Sequence, residues 1–415
     1  MTPLLNSSTE LTPVHYRVLG MCWAGWIFDF YDLLLLTNLF VWIGKDLNIS
    51  SVQFSYALGV SLAASAAGGI IFGLLADRYG RKPVLQLSII IYSLGALLCG
   101  FATSLESLIL FRIITGLGVG GEWATGQTYI AELFPAQIRG KYASYVQTGA
   151  PIGILLASVM GGFIAPIIGW RACFIVSVLP TLFVFFIRRN IPESDLWERT
   201  AERRNLTNPE IHPESLPGVP DRKYWKLFLF ALIVATLGMS AYWFTYSWLP
   251  EYLYMERSFS LSMSAIWIIV CQIGGIAGYL SFGIVADRIG RRVSFTLYTT
   301  IMAIGLVMIT LLWDLIAGIP GVILGCMALV GFGTGFFGGY GPLFAEIFPT
   351  AIRNTLSGAA FNIARGVQLL TPVLIAYIGE MYNLGVGICL GALFAVATGL
   401  WIWVFPETKG RALEP

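Results

Sequence analysis

Five ionisable side chains of this 415-residue chain stand inside long apolar runs. Asp29 and Asp32 lie in WAGWIFDFYDLLLL, Arg112 and Glu122 in FRIITGLGVGGEWATG, and Arg365 in GAAFNIARGVQLL. A charge at the centre of a bilayer costs about 2.5–3.5 kcal/mol on insertion scales, so each such residue asks for a task. A guanidinium stays charged at any working pH and matches a carboxylate bidentately. Arg365 is therefore read as the anchor for an anionic solute, with Asn362 one turn away as a second donor. A carboxyl group carries a proton where burial and like-charged neighbours favour its neutral form. Asp29, Asp32 and Glu122 are the candidates, Asp29 or Glu122 foremost, and Arg112 would pair an acid once it is deprotonated. His15 and His212 fall in polar stretches, outside the predicted spans, and no lysine is expected to be buried.

These residues need a scaffold that holds them in lipid. Hydrophobic residues make up 57% of the chain and charged residues 12%, a balance foreign to soluble proteins. A span needs about 20 mostly apolar residues, and on that scale twelve runs qualify: 17–43, 52–76, 83–102, 106–133, 141–165, 170–187, 226–253, 262–286, 293–313, 319–346, 355–380 and 384–405. The polar stretch 188–225, with five prolines from Pro192 to Pro220, separates two six-helix halves, 1–187 and 226–415. Arg17, Arg78, Arg81, Lys82, Arg139, Lys141, Arg188, Arg189, Arg288, Arg291, Arg292, Arg353, Lys409 and Arg411 gather on one side with the basic residues of the central loop. The other side has Lys45, Arg171 and Arg257. The bias places both termini and the central loop in the cytoplasm. At about 1.5 Å per residue, Asp29, Glu122 and Arg365 then share one plane near mid-membrane, so acids from one half and a cation from the other would line one cavity.

The halves are copies. GLLADRYGRK at Gly73–Lys82 returns as GIVADRIGRR at Gly283–Arg292, and AELFPAQIR at Ala131–Arg139 as AEIFPTAIR at Ala345–Arg353. A repeated bundle of membrane helices implies a transport fold. The repeated motifs read as short charged loops. Asp77, Arg78 and Arg81, with Asp287, Arg288 and Arg291, are expected to latch the cytoplasmic side, and Glu132 and Glu346 to act as gate parts. Gly73, Gly80, Gly283 and Gly290 would permit close approach and tight turns.

Tyr242 and Tyr246 share a face of the seventh run, with Trp243 and Trp248 beside them; Tyr340 lies in the tenth. The tyrosines could enclose an organic solute, while Trp248 suits an interfacial belt. Gln147 and Gln272 are candidate cavity donors. The six cysteines fall at unrelated spacings inside apolar runs and read as packing thiols.

The doubled D-R-x-G-R-[RK] motif and the run Arg112–Gly120 resemble signatures of the major facilitator superfamily. Asp29-Phe-Tyr-Asp32, GEW…AELFP and Asn362-Ile-Ala-Arg365 resemble its proton-coupled organic acid symporters, the aromatic-acid and sialate/lactate groups, although Phe30 replaces the glycine usual between the aspartates. The resemblance implies an all-α integral membrane protein of twelve helices in two six-helix bundles related by a pseudo-two-fold axis. It further implies a carrier that works as a monomer in a bacterial inner membrane, takes up a small organic acid with protons and needs no cofactor, metal or nucleic acid. PESDLWER and PETKGR resemble sugar-carrier signatures, so a sugar or polyol symporter is the alternative; the seventh run lacks that group's paired glutamines. A non-transporting sensor has little room for an output domain. An enzyme finds no metal-ligand cluster, nucleotide loop or Ser-His pair in the spans.

Overall fold

The computed structural model describes residues 11–178, 191–206, 222–246 and 249–413, all helix, turn and connection, with no strand among them. We number the spanning elements α1 (Pro13–Asn38), α2 (Ser51–Tyr79), α3 (Arg81–Cys99), α4 (Leu105–Leu133), α5 (Arg139–Ile168), α6 (Trp170–Val176), α7 (Arg222–Tyr246), α8 (Leu261–Ile289), α9 (Arg291–Thr310), α10 (Pro320–Ile347), α11 (353–381) and α12 (Leu384–Trp401). Ten of these are long and apolar enough to cross a membrane. α11 passes through a 3₁₀ turn at Gln368–Leu370, as α10 does at Thr334–Gly339. The end of the sixth predicted span, Trp248, His212 and residues 188–190 and 207–221 of the central stretch lie outside the described residues.

Serine caps start several helices: Ser50, Ser104 and Ser260 accept the backbone N–H of Gln53, Ser107 and Met263, groups that would otherwise lack partners. The repeated DR-x-GR segments are not loops, as their charge content suggested. α2 runs on to Tyr79 and α3 begins at Arg81, so Gly80 alone turns the corner, with φ +107°; Gly290 does the same between α8 and α9, with φ +101°. Side-chain-bearing residues rarely adopt that backbone. His15 also departs from expectation: it is buried in the first turn of α1, and its Nδ1 meets the Thr12 N–H at 3.1 Å.

The two halves meet along symmetry-related pairs, α2 on α11 and α5 on α8. Glycine makes both contacts possible. A Cβ on Gly73 would fall 2.8 Å from Thr355 Cα, and one on Gly283 would fall 2.4 Å from the Gly140 carbonyl oxygen. In lipid, backbone proximity of this kind replaces the hydrophobic effect as the force between helices. One buried apolar cluster runs through both halves, and apolar side chains such as Ile167, Leu315 and Leu393 are exposed on the outer surface.

Candidate functional site

Between the halves lies a narrow cavity. Trp26 and Phe30 of α1 and Gln147 of α5 line it from one half; Tyr242 and Tyr246 of α7, Gln272 and Tyr279 of α8, Phe337 of α10, and Phe361 and Arg365 of α11 line it from the other. Arg365 is 4% exposed. Aromatic rings surround its guanidinium, at 5.5 Å for Trp26, 6.0 Å for Phe30 and 5.4 Å for Phe361. Asp29 is the charge that acts on it, yet among the described residues the Arg365 side chain makes no hydrogen bond or ion pair. A dehydrated cation held over π faces, with its donors unspent, is suited to receive an anion. Tyr242 and Tyr246, also on the cavity wall, pack ring to ring at 4.6 Å.

The acids do not line this cavity with Arg365, contrary to the expectation from depth alone. Asp32 pairs with Arg112 at 3.0 Å, both buried, within the first half. Glu122 lies in a separate small space with Cys22, Gln127 and Trp123, where Ser88 donates to it at 3.3 Å. Trp26 borders both spaces and so forms the partition between them. Two polar residues of the predicted set are also elsewhere. Asn362 donates to the Gly120 and Gly358 carbonyls, each at 3.0 Å, where α11 crosses α4. Tyr340 spends its hydroxyl on the Val234 carbonyl at 2.9 Å. Depth along a helix places a residue in a layer; rotation about the axis decides which space it faces.

At the face that carries the repeated motifs, two charge clusters join the halves. Asp77 accepts the backbone N–H groups of Asn354 and Thr355 at 3.2 and 2.8 Å and the Thr355 hydroxyl at 2.7 Å, so α2 caps α11. Asp287 accepts the N–H groups of Gly140 and Lys141 at 3.2 and 2.7 Å, so α8 caps α5. Arg81 bridges Asp77 at 2.8 Å and Glu132 at 2.9 Å, and Glu132 reaches across to Arg353 at 2.8 Å. In the mirror cluster Arg291 bridges Asp287 at 2.6 Å and Glu346 at 3.0 Å, and Glu346 reaches Arg139 at 3.3 Å. These groups are buried, and a helix N-terminus favours the carboxylate aimed at it. Arg78 and Arg288, counted with the latch on sequence grounds, are exposed on the surface instead.

A model of the Major Facilitator Superfamily matches residues 21–367. The chain belongs to the major facilitator superfamily. It is a multi-pass membrane transporter, not an enzyme. It is 31% identical over 415 residues, covering 97% of this chain and 93% of the relative, to a Cupriavidus pinatubonensis protein named "Probable 4-methylmuconolactone transporter". It is 29% identical over 380 residues, 91% of each chain, to "Sialic acid transporter NanX" of Escherichia coli. The fold matches the proton:xylose symporter XylE bound to 6-bromo-6-deoxy-D-glucose, with a TM-score of 0.76 at 19% identity over 96% of this chain and 97% of that one; that likeness concerns fold alone.

Within this superfamily chain, sequence reasoning missed Arg139, Arg353, Glu193, Ser194, Glu407 and Thr408 as members of the clusters. Glu193 accepts the N–H groups of Arg81 and Lys82, each at 3.0 Å, while Ser194 donates to Glu132 at 2.6 Å. Glu407 accepts those of Arg291 and Arg292 at 2.9 and 3.2 Å, while Thr408 donates to Glu346 at 2.6 Å. The signal was present: Arg139 and Arg353 end the repeated AE-x-FP motif, and Pro-Glu-Ser and Pro-Glu-Thr follow each half at matching places.

Proposed function

We propose that this chain imports a small organic carboxylate together with protons, by alternating access between its two six-helix halves. The observation that carries this reading is Arg365, a buried cation on the cavity wall whose donors have no partner among the described residues. The names of the relatives, a methylmuconolactone transporter and a sialic acid transporter, support an organic acid as cargo.

Coupling follows from competition. Asp29 acts on Arg365 electrostatically, so an ionised Asp29 weakens the pull of Arg365 on an incoming carboxylate. Protonating Asp29 releases that pull, and the solute and proton then enter as a neutral pair. Glu122, behind the Trp26 partition, is the second proton site, and Asp32–Arg112 is the pair that keeps charge balance in the first half. Asp77, Arg81 and Glu132, with Asp287, Arg291 and Glu346, hold one side shut and must separate for release. That side is taken as the cytoplasmic one because lysine and arginine collect there, with residues 1–187 and 226–415 as the moving bundles, in a bacterial inner membrane and as a monomer. A sugar or polyol carrier would leave the Arg365 charge without a counterpart.

The test is uptake of labelled carboxylates into proteoliposomes, with and without an imposed pH gradient. Accumulation driven by an acidic exterior, abolished in Asp29→Asn or Glu122→Gln, is the expected result. Uptake that ignores the gradient in the unmodified carrier overturns the coupling, and failure to move any carboxylate overturns the substrate class.

A further inference from the structure

We propose that His15 is a pH-sensitive switch: neutral, it fastens the start of α1 to the end of α4, and protonated it lets go, which favours opening of the motif-bearing face. The transport reading gives this side chain no task. His15 is 3% exposed. Its Nδ1 lies 3.1 Å from the Thr12 backbone nitrogen and 2.8 Å from the Thr12 hydroxyl oxygen. A backbone N–H only donates, so Nδ1 carries a lone pair and the ring proton belongs on Nε2. Reaching back from the third helical position to the N-cap N–H is one half of a capping box, a task usual for Glu or Gln. Histidine performs it only while neutral.

The ring is also wedged against the end of α4. It meets Phe134 edge-on at 5.1 Å, and the Leu133 backbone is hydrogen-bonded to it. Phe134 stacks in turn on Tyr142 of α5 at 4.6 Å. One residue before Leu133 stands Glu132, which pairs with Arg81 in its own half and Arg353 in the other. His15 therefore packs on the segment that presents an inter-half carboxylate. The charged groups on the packed elements are Arg17 of α1, Glu132 of α4, and Arg139 and Lys141 of α5. Glu132 is held by its two arginines and Arg139 by Glu346, Tyr16 and Tyr142 are hydrogen-bonded to each other, and none of these groups acts on the imidazole as a charge. A proton on Nδ1 removes the acceptor from Thr12 and leaves a buried cation without a counter-ion. Such a charge is costly, and the cost falls when the start of α1 moves off α4 toward water. The neutral ring thus contributes fully to the closed face at high pH, and the contribution is lost as pH falls through the imidazole titration.

The experiment places spin labels at Arg78→Cys and Arg288→Cys, exposed and one in each half, on the full-length carrier in lipid nanodiscs. Their distance is read from about pH 7.5 to pH 5, a range that brackets an ordinary imidazole. With His15 in place, the longer-distance population should grow about two- to tenfold as pH falls, the span set by one lost hydrogen bond. His15→Gln keeps a capping acceptor and takes up no proton, so this growth should vanish. His15→Ala has no acceptor at any pH and should show the longer distance already at neutral pH, with no further rise. A flat response with His15 in place overturns the proposal. So does a response in His15→Gln or His15→Ala that matches the parent's, which would assign the titration to Glu193 and the other carboxylates of the clusters. No substrate enters the measurement, so its outcome is separate from the carboxylate reading.

Discussion

The Arg365 guanidinium stands 5.5 Å from the centre of the Trp26 ring, joining α11 of one half to α1 of the other at the cavity wall. The same indole separates that cavity from the chamber holding Glu122. The proposed solute and proton positions are thus neighbours through one side chain, and a substrate that displaces Trp26 would alter both spaces.

Replacing Arg365 tests the anchor. Arg365→Ala should raise KM for carboxylates about ten- to hundredfold, the span expected for a charge-assisted hydrogen bond. Arg365→Lys should recover only part of this, since a point charge lacks the bidentate fork. Initial rates of uptake against substrate concentration decide; equal KM in all three proteins would refute the role.

Breaking either inter-half ion pair should open the motif-bearing face. Glu132→Gln leaves Arg353 buried without its 2.8 Å carboxylate contact, and Arg139→Met strips Glu346 of one partner. Losing one member of a buried pair costs about 3–5 kcal/mol, enough to reverse a two-state balance. Spin labels at Arg78→Cys and Arg288→Cys, exposed and one in each half, should report a longer distance in both variants.

Glycine contacts should rank by their clearance. A methyl at Gly283 meets the Gly140 carbonyl oxygen at 2.4 Å, and one at Gly73 meets Thr355 Cα at 2.8 Å. Gly283→Ala should therefore separate the halves further and lower Tm more than Gly73→Ala, read by the same label pair and by thermal unfolding.

The mirror carboxylates Glu193 and Glu407 should respond oppositely to acid. Burial pushes Glu407 up, but backbone N–H groups of Arg291, Lys409, Arg292 and Thr408 outweigh it and hold the carboxyl below its usual range. Its contribution is present above the ordinary glutamate pKa and is lost as pH falls through the lower folded value. Burial prevails at Glu193 and raises it, so there the folded state gains as pH falls toward that value. Thermal unfolding from pH 7 down to pH 3, about the usable range around the ordinary pKa, should show Glu407→Gln less stable than the parent at neutral pH with the gap closing in acid. For Glu193→Gln the comparison should move in the parent's favour on acidification.

Hydropathy, duplication and charge bias are properties of short stretches. The membrane class, the repeated architecture, the superfamily and the buried Arg365 were therefore readable residue by residue. Helix ends beside Gly80 and Gly290 were read to within three residues, but the charges there that looked like loop residues belong to helix termini. Which groups meet was not readable. Asp32 with Arg112, Glu132 with Arg353, Asn362 against Gly120 and the exclusion of Glu122 from the main cavity all depend on how each helix is rotated about its axis. Neighbouring residues differ by about 100° on a helix, so a small change in rotation moves a side chain from one cavity to another. That rotation is set only when the two halves close on one another at Gly73 and Gly283, contacts between residues far apart in the chain.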